Sequence, residues 1–311
     1  MPNVEDVIII GSGPAGYTAA IYLSREDFKP VVLAGMEQGG QLTLTNVVEN
    51  YPGFPEGVLG AELMARFRAQ AAKFGARFVN GSATGVDFGS RPFKVAADSG
   101  AYLANSVILA PGASARWLGL ESEKKFTGKG VSSCATCDGP FYRNKSVVVV
   151  GGGDTAMEDS LFLTKFASSV TIIHRRHEFR ASKIMQERVM ASSKIKVVWD
   201  STIDEILGNS KVTGVRVRNL KTNEASELKT DGVFVAIGYT PNTGFLQGKL
   251  PLDEQGYIIT SDEVRTGIKG VFVAGDVADR VYRQAVTAAS SGAKAALAAR
   301  AYLQDLKYGK G

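Results

Sequence analysis

The chain carries the same strand-to-glycine turn twice. Residues 7–16 read VIIIGSGPAG and residues 147–156 read VVVVGGGDTA, so position 7 corresponds to position 147 at an offset of 140 residues. Each segment is an apolar run that enters a glycine-rich turn, and an amphipathic helical pattern follows it. A strand, a glycine turn and a helix in this order are typical of a dinucleotide-binding unit. The repeat therefore predicts an α/β chain with two Rossmann-like dinucleotide-binding domains.

Periodic segments extend both units along the chain. Apolar runs that end in glycine predict buried strands, and apolar residues at every third or fourth position predict helices. In the first unit the predicted elements are a strand at 5–10, a helix at 14–26, a strand at 29–33 and a buried strand at 106–110. In the second unit, which starts near Trp117, they are a strand at 145–150, a helix at 154–166 and strands at 169–173, 211–217 and 232–237.

A third strand that ends in glycine lies late in the chain, where residues 270–276 read GVFVAGD and an Ala-rich helix starts at about residue 284. Asp276 can accept hydrogen bonds from a ribityl hydroxyl, or it can serve as an ordinary helix N-cap. Because this stretch carries a ligand signature of its own, we predict that it returns to the first domain, which is then discontinuous. The predicted domains are residues 1–115 together with residues 245–311, and residues 116–244.

The bulk composition narrows the class of protein. The 311 residues include 36 basic and 31 acidic side chains, and the net charge of +5 is too small to indicate a nucleic-acid-binding protein. Asp6 precedes the apolar run 7–10 and a glycine turn follows it, which indicates a buried strand rather than a signal peptide. No apolar run approaches the length that spans a bilayer. We therefore expect a cytoplasmic protein that binds neither nucleic acid nor a membrane.

The only two cysteines, Cys134 and Cys137, are separated by two residues. Thiols at this spacing can close a small disulfide ring, and the same spacing can produce a reactive thiolate. The alternatives are a coincidental pair of buried thiols and half of a metal site. A structural zinc site usually has four ligands, and the only histidines, His174 and His177, lie in a basic run. We predict a redox pair and no metal site, with the adjacent Asp138 as either a proton carrier or a helix N-cap.

Each glycine of the first turn has a separate task. Gly11 allows the tight turn, Gly13 lets the backbone approach a pyrophosphate, and Gly16 lets helix and strand pack closely. The N-terminus of the following helix then presents free N–H groups to the phosphates. The alternative is a glycine-rich turn without a ligand. The next strand ends VVLAG at 31–35 without an acidic residue for the adenosine ribose, and the role of Glu37, in the following loop, stays open.

The second turn differs in its third position and in the strand that follows. It reads GGGDTA at 151–156, and the next strand ends HRR at 174–176, with Arg180 four residues on. An NADP site needs cations for the ribose 2′-phosphate where an NAD site carries a carboxylate. Arginine suits this task through forked, charge-assisted hydrogen bonds. The basic run therefore predicts NADPH binding, and a solvated basic loop is the alternative.

Taken together, these motifs resemble the low-molecular-weight NADPH-dependent thioredoxin reductase family. The resemblance covers nearly the whole chain, and the combination of motifs is more specific than any one of them. The segments that carry it are GSGPAG at 11–16, GGQL at 39–42, ENYPGF at 49–54, CATCDG at 134–139, HRR at 174–176, GYTPNT at 238–243, and GD at 275–276 with RQA at 283–285.

The resemblance implies one FAD in the discontinuous domain, NADPH in the domain at 116–244, and a homodimer. It further implies that NADPH reduces FAD, that FAD reduces the Cys134–Cys137 disulfide, and that the dithiol reduces the disulfide of thioredoxin, with Asp138 managing protons. The implied FAD contacts are Gly11, Ser12, Gly13, Pro14, Ala15, Gly16, Gly40, Gln41, Leu42, Asn50, Gly112, Asp276, Arg283, Gln284 and Ala285. The implied NADPH contacts are Gly151, Gly153, Asp154, Thr155, Ala156, His174, Arg175, Arg176, Arg180 and Gly238.

One segment departs from the family pattern. Residues 109–112 read LAPG, where the family usually has threonine before the glycine. Proline removes a hydroxyl and a backbone donor, which puts a local FAD contact in question but not the fold. Of the two sulfurs we favour that of Cys137 as the one nearer the flavin, because Cys137 adjoins Asp138.

Three other functions share part of this pattern. They are a flavoprotein on the same scaffold that reduces another protein disulfide, a dithiol oxidase that passes electrons to oxygen, and a nucleotide-binding redox sensor without turnover. The arginine set argues against an oxidase that does not need NADPH. NADPH-dependent reduction of an aromatic disulfide, assayed with and without thioredoxin, separates these functions.

Overall fold

The computed structural model describes residues 3–45 and 47–309. The strands are β1 Val4–Ile10, β2 Val31–Leu33, β3 Val47–Val48, β4 Val58–Leu59, β5 Arg77–Val79, β6 Ala83–Asp87, β7 Phe93–Ala97, β8 Gly100–Leu109, β9 Ala113–Ala115, β10 Val131–Ser132, β11 Ser146–Val150, β12 Ser169–Ile173, β13 Ile195–Val198, β14 Ser201–Gly208, β15 Val212–Asn219, β16 Ala225–Lys229, β17 Gly232–Val235, β18 Tyr239–Pro241 and β19 Val271–Val273. The helices are α1 Pro14–Arg25, α2 Gly60–Lys73, α3 Glu121–Phe126, α4 Ala135–Asp138, α5 Asp154–Leu163, α6 Lys183–Met190 and α7 Ala285–Lys307.

These elements form two compact units. The split unit consists of Met1–Ser114 and Thr240–Gly311, and the inserted unit is Ala115–Tyr239. The chain leaves the split unit within β9 and returns to it within β18.

The split unit is built on a seven-stranded sheet in the order β5-β2-β1-β8-β7-β6, with β19 also paired with β8. Strand β1 is parallel to both of its neighbours, and β19 is parallel to β8. Alternate residues of β1 enter different cores: Val7 and Ile9 pack with residues of α1 and α7, whereas Ile8 and Ile10 pack with Leu246 and its neighbours. Because both faces of β1 are buried, its sequence is a continuous apolar run rather than an alternation.

The inserted unit repeats this plan with a different cover. Its five-stranded sheet has the order β10-β17-β11-β12-β13, all pairs parallel, and β14, β15 and β16 form a separate antiparallel sheet. Val147 and Val149 pack with residues of α5, whereas Val148 and Val150 pack with Ile203 and other residues of the antiparallel sheet. A helix therefore covers one face of the parallel sheet and the antiparallel sheet covers the other.

Several predicted elements have different ends in the structure. The helix predicted at 14–26 ends at Arg25, and the one predicted at 154–166 ends at Leu163. After Leu163 the N–H groups of Lys165 and Phe166 bond to carbonyls three positions back, as in a 3₁₀ turn. The strand predicted at 106–110 begins earlier, at Gly100, because its first half pairs antiparallel with β7.

Within the described ranges, every helix is too short or too polar to cross a membrane. In the same part of the chain, no three His, Cys, Asp or Glu side chains come together in a way that could hold a metal ion.

Candidate active site

Cys134 and Cys137 form a disulfide on the single turn of helix α4, in the inserted unit. Cys134 is the N-cap of this turn, and its Sγ accepts a hydrogen bond from the Cys137 N–H at 3.2 Å. The N–H of Cys134 donates to Ser132 Oγ at 3.0 Å, and the two Cα atoms are 5.3 Å apart. Both cysteines are partly buried. The turn therefore fixes both sulfurs directly after strand β10.

Asp138 completes the turn, and its N–H donates to the carbonyl of Cys134 at 3.1 Å. Burial raises the pKa of the Asp138 carboxyl, and a hydrogen bond with Ser132 acts in the opposite direction. The 3₁₀ turn that follows receives no capping hydrogen bond from the Asp138 side chain. Burial, together with the charges of Asp138 and Asp231, also raises the pKa of Tyr142 to about 12. A carboxyl in this setting gives up its proton at a higher pH than an exposed aspartate does.

The first glycine turn packs tightly against backbone atoms at Gly11 and Gly16 but leaves free space at Gly13, where helix α1 begins. Gly11 has a φ of +112°, and a Cβ there would lie 2.0 Å from the carbonyl oxygen of Ala110. A Cβ at Gly16 would lie 2.0 Å from the carbonyl oxygen of Gly11. At Gly13, the N-cap of α1, a Cβ would have no described atom within 4 Å, and no side chain in residues 3–45 and 47–309 caps the helix. The turn thus leaves space where a phosphate group would meet free N–H groups.

Ser12 connects this turn with the loop after β2. Its buried Oγ donates to the carbonyl of Ala34 at 2.5 Å and accepts from the N–H of Gly39 at 3.0 Å. The loop comes so close that a Cβ at Gly40 would lie 3.3 Å from the Cα of Gly13. The structure therefore brings together two motifs that the sequence predicts to touch the same ligand.

The third glycine signature lies beside the first turn. A Cβ at Gly275 would lie 3.0 Å from the Cβ of Ala15. Asp276 Oδ1 is buried and has no hydrogen-bond partner among the described residues. Burial and then the charge of Asp279 raise the pKa of Asp276 to about 7, and the nearby Arg283 opposes this shift. A buried carboxyl oxygen without a donor needs an explanation, and a ligand hydroxyl would provide one.

Three of the other predicted FAD contacts, Gln41, Asn50 and Gln284, take part in hydrogen bonds within the split unit. Asn50 Nδ2 donates to Gln284 Oε1 at 3.2 Å, and Gln284 forms a capping box with Thr287 at the start of α7. Gln41 Nε2 donates to the carbonyl of Ala113. The remaining predicted residues are Pro14 at the start of α1, Leu42 in the 3₁₀ turn Gly40–Leu44, and Ala285 at the start of α7.

The departure at Pro111 has a local structural partner. Gly112, with a φ of +72°, follows it in a turn between β8 and β9. Asn242 holds this turn from across the split unit: its N–H donates to the carbonyl of Gly112 at 3.0 Å and its Nδ2 donates to the carbonyl of Pro111 at 2.9 Å. The turn is therefore fixed through its carbonyls, which proline retains.

The second glycine turn repeats the first with one difference. Gly151 has a φ of +155°, and a Cβ there would lie 2.3 Å from the carbonyl of Ala236 and 2.8 Å from the Cβ of Ala156. Gly153 is the N-cap of α5, and a Cβ at this position would meet no described atom within 4 Å. Gly238, with a φ of +105°, comes soon after β17. The residues Asp154, Thr155 and Ala156 form the first turn of α5.

The four basic side chains predicted to bind NADPH, His174, Arg175, Arg176 and Arg180, differ in exposure and in charge. Arg175, Arg176 and Arg180 are exposed, and within the described ranges their guanidinium groups have no ion pair or side-chain hydrogen bond. His174 is only 5% exposed, and its Nε2 lies 3.0 Å from the carbonyl of Glu178. Burial, the largest cause, lowers the pKa of His174, as do the neighbouring arginines. The end of β12 therefore presents three guanidinium groups beside an imidazole that stays neutral at pH 7.

Three polar residues that hold these parts in place had no role assigned from the sequence. They are Ser132 under the cysteine turn, Asn242 at the Pro111 turn, and Ser182, which binds the carboxylate of Asp154 at 2.9 Å through its N–H and at 2.8 Å through its Oγ. Ser182 directly precedes α6, so its position at a helix start was readable. Its partner was not, because 28 residues separate them.

A family model described as pyridine nucleotide-disulphide oxidoreductase matches residues 5–292. The chain belongs to this family. It is 53% identical over 308 residues to the thioredoxin reductase of Rickettsia conorii (strain ATCC VR-613 / Malish 7), an alignment that covers 97% of this chain and 99% of that protein. It is 50% identical over 315 residues to thioredoxin reductase 2 of Arabidopsis thaliana, which covers 96% of this chain and 82% of the plant protein.

Two solved structures of thioredoxin reductases have the same fold as this chain. The thioredoxin reductase of Streptococcus pyogenes MGAS5005 has a TM-score of 0.94 at 39% identity, with 98% of this chain and 100% of that chain covered. The thioredoxin reductase of Giardia duodenalis has a TM-score of 0.92 at 44% identity, with 96% and 98% covered. The predicted α/β fold with Rossmann-like units, the resemblance to low-molecular-weight thioredoxin reductases and the prediction of an oxidoreductase are confirmed by these matches.

Proposed function

We propose that this oxidoreductase uses NADPH and FAD to reduce the disulfide of thioredoxin through Cys134 and Cys137. The observation that carries the proposal is the disulfide itself, which lies on a one-turn helix and shares its partner Ser132 with the half-buried carboxyl of Asp138. A disulfide that only stabilised the fold would need no titratable group with a raised pKa beside it.

FAD fits the split unit. The open space at Gly13, at the start of an uncapped helix, suits a pyrophosphate. The buried, unpartnered Oδ1 of Asp276 suits a ligand hydroxyl as hydrogen-bond donor. The N–H of Gly39 donates to Ser12 and Gly40 lies close to Gly13, so these residues line one side of the same turn. A bound flavin would supply a two-electron relay between the nicotinamide and the disulfide.

NADPH fits the inserted unit. Gly153 leaves the start of α5 open in the way that Gly13 leaves α1 open. Three exposed guanidinium groups follow β12, and a ribose 2′-phosphate would give them a bidentate partner. The discontinuous domain would thus bind FAD, and the inserted one would bind NADPH and carry the cysteines.

Within this scheme the chain supplies the thiol chemistry. After reduction, the Sγ of Cys134 keeps two neighbours that can stabilise a thiolate, the N–H of Cys137 at 3.2 Å and the hydroxyl of Thr136 at 3.3 Å. When Cys137 is attacked from the flavin side, Cys134 is the sulfur that leaves; Asp138, whose pKa burial raises, would give it a proton and take that proton back before Cys134 attacks thioredoxin as a thiolate. We propose Cys137, which adjoins Asp138, as the sulfur nearer the flavin, and Cys134, whose thiolate has these two neighbours, as the one that attacks thioredoxin.

The exchange with thioredoxin balances without another reactant. The Cys134 thiolate attacks one sulfur of the thioredoxin disulfide, which breaks that bond and forms a mixed disulfide. The Cys137 thiolate then attacks Cys134 Sγ, which breaks the mixed disulfide and re-forms the disulfide of this chain; the two thiolates released on thioredoxin take up the two protons that Cys134 and Cys137 gave up, so thioredoxin leaves with two thiols. We further propose that the protein works as a homodimer, as the resemblance implies, and in the cytoplasm, as the sequence composition predicts.

The decisive experiment measures NADPH oxidation with purified thioredoxin, with an aromatic disulfide and with oxygen. We expect turnover with thioredoxin, and we expect Cys134→Ser and Cys137→Ser each to abolish it while NADPH still bleaches the flavin. Ser133→Ala, in the same loop, is the matched control and should keep turnover. Reduction of the aromatic disulfide without thioredoxin turnover would indicate another acceptor, oxygen consumption with a dithiol would indicate an oxidase, and no turnover at all would indicate a sensor.

A further inference from the structure

The basic loop, defined here as residues 174–182, is bonded to the second glycine turn at its far end. Oδ1 of Asp154 accepts two hydrogen bonds from Ser182, at 2.9 Å from the N–H and at 2.8 Å from the hydroxyl. Two residues earlier, the N–H of Arg180 donates to the carbonyl of Gly152 at 2.7 Å. Three hydrogen bonds therefore join the loop that bears the guanidinium groups to the turn that opens α5.

The near end of the basic loop is fixed by His174. The ring lies where a side chain at Gly152 would be, because a Cβ there would be 2.2 Å from His174 Cε1. The ring Nε2 is 3.0 Å from the carbonyl of Glu178, and the ring packs against Phe179 with 5.5 Å between centroids. His174 is therefore a wedge between the turn and the loop rather than a fourth cation for a phosphate.

These contacts leave the backbone of the basic loop fixed and its arginine side chains exposed. Arg175, Arg176 and Arg180 lie between the two anchors and are exposed. Binding a phosphate with a fixed backbone loses less conformational freedom than ordering a free loop in the same event. The position of the loop relative to the start of α5 then decides whether a 2′-phosphate and the rest of the nucleotide can be bound together.

We propose that Asp154 and Ser182 are positioning residues that hold the basic loop against the second glycine turn and thereby set the preference for a nucleotide with a 2′-phosphate. The inference rests on the proposed use of NADPH. In this role Asp154 contacts Ser182 and not the nucleotide, and its Oδ1 accepts both hydrogen bonds from Ser182.

A merely structural role for Asp154 makes a different prediction. As the first residue of α5, its carboxylate also stabilises the helix N-terminus. Loss of that effect alone would lower stability and weaken the binding of all nucleotides equally. Loss of the contact with Ser182 would weaken binding of the 2′-phosphorylated nucleotide only.

The test measures binding of two fragments, 2′,5′-ADP and 5′-AMP, by isothermal titration calorimetry of the holoenzyme. Asp154→Ala and Ser182→Ala should each weaken 2′,5′-ADP binding by about tenfold, the loss expected when a hydrogen bond to a charged group is removed. Binding of 5′-AMP should stay within about twofold of wild type. Asp154→Asn retains the acceptor oxygen and should restore most of the affinity. The control Ser168→Ala removes an exposed serine hydroxyl elsewhere in the inserted unit, which donates to the carbonyl of Lys145, and should change neither affinity.

Hydrogen exchange provides a readout that does not depend on any ligand. The N–H of Ser182 should exchange faster in Asp154→Ala than in wild type, and Asp154→Asn should retain the protection. Wild-type affinity of Asp154→Ala for 2′,5′-ADP, or an equal loss for 5′-AMP, overturns the proposal. If the wild-type protein itself binds 2′,5′-ADP no better than 5′-AMP, the proposed use of NADPH fails and this inference fails with it.

Discussion

The two glycine turns follow one backbone plan but are anchored by different chemistry. The first is fixed by the buried hydroxyl of Ser12, which joins Ala34 and Gly39 through neutral hydrogen bonds. The second is fixed by an exposed carboxylate, that of Asp154, and by the wedge of His174. Neutral buried bonds keep their strength across pH and salt, whereas exposed charged contacts respond to both.

The two turns also differ in how tightly the third residue of the motif is packed, Gly16 in the first turn and Ala156 in the second. At Gly16 a methyl group would overlap the carbonyl of Gly11 at 2.0 Å, so helix and strand are as close as glycine allows. The equivalent position in the second turn is Ala156, which is fully buried and accommodated. The first turn is therefore packed to its limit and tolerates little change. The second turn differs at this third position, where it accommodates one methyl group.

The largest expected effect tests this packing limit directly. Gly16→Ala should lower the free energy of unfolding by more than about 5 kcal/mol, because the added methyl overlaps a backbone oxygen that cannot rotate away. We expect loss of bound FAD and precipitation or unfolding near room temperature. Thermal unfolding and flavin released by acid would be measured together.

The matched variant is Ala156→Gly at the equivalent position of the second turn. It removes a methyl group near the start of α5 and should lower the free energy of unfolding by only about 1 kcal/mol. Flavin content should be unchanged. A Gly16→Ala protein as stable as Ala156→Gly would show that the two turns are not packed differently.

The second effect concerns a buried charge near the first turn. The pKa of Asp276 is raised from 3.8 to about 7, with burial as the largest cause. Between these pKa values the unfolded chain ionises while the folded one retains the proton, so the flavin-free fold loses stability as pH rises and the loss is complete above about pH 7. At 1.36 kcal/mol per pKa unit, the loss is about 4 kcal/mol.

Asp276→Asn should remove this loss. The flavin-free variant is expected to be more stable than the flavin-free wild type at pH 8, and the two should converge near pH 4. Chemical unfolding of both proteins across this range is the measurement. A constant difference between them at every pH would mean that the pKa of Asp276 is the same in the folded and the unfolded chain. The exposed carboxylate at the second turn behaves in the opposite way, because the hydrogen bonds of Ser182 lower the pKa of Asp154.

The third effect lies at the exposed end of the second turn. Replacing both Arg175 and Arg180 with alanine should lower the preference for NADPH over NADH by about a hundredfold or more, because each charge-assisted hydrogen bond contributes roughly 1.5–3 kcal/mol. The ratio of the two kcat/KM values is the measurement. Arg188→Ala, which removes an exposed guanidinium from α6, is the control. Unchanged discrimination in the double variant would place the 2′-phosphate elsewhere.

The sequence predicted the parts of this comparison that depend on local geometry. A positive φ or a backbone contact near 2 Å demands glycine, which is why Gly11, Gly16 and Gly151 mark the turns so clearly. Buried β1 and β11 were evident for a similar reason, since strands covered on both faces read as apolar runs.

The parts that depend on distant partners were not predictable. Nothing in the residues around Asp154 points to Ser182, and nothing near Ser12 points to Gly39, because each partner is brought close only by the folded sheet. Strand β14 was missed for a local reason. A register shift between Ile203 and Glu205 breaks the alternation of buried and exposed residues on which strand prediction relies.

The smallest expected effect tests whether the exposed anchors and cations of the second turn respond to salt while the first turn does not. Raising the ionic strength from about 0.05 M to about 0.5 M shortens the Debye length to a few ångströms and screens exposed guanidinium groups from a phosphate. The KM for NADPH should therefore rise several-fold, the KM for NADH should change little, and flavin should stay bound, because the groups beside Gly13 and Ser12 are neutral or buried. The double variant of Arg175 and Arg180 should lose most of the salt response, since fewer cations remain near the 2′-phosphate of NADPH for salt to screen. An equal salt response with NADH and NADPH would mean that screening acts on the pyrophosphate or on the whole protein, and the contrast between a neutral, packed turn and a charged, adjustable one would not hold.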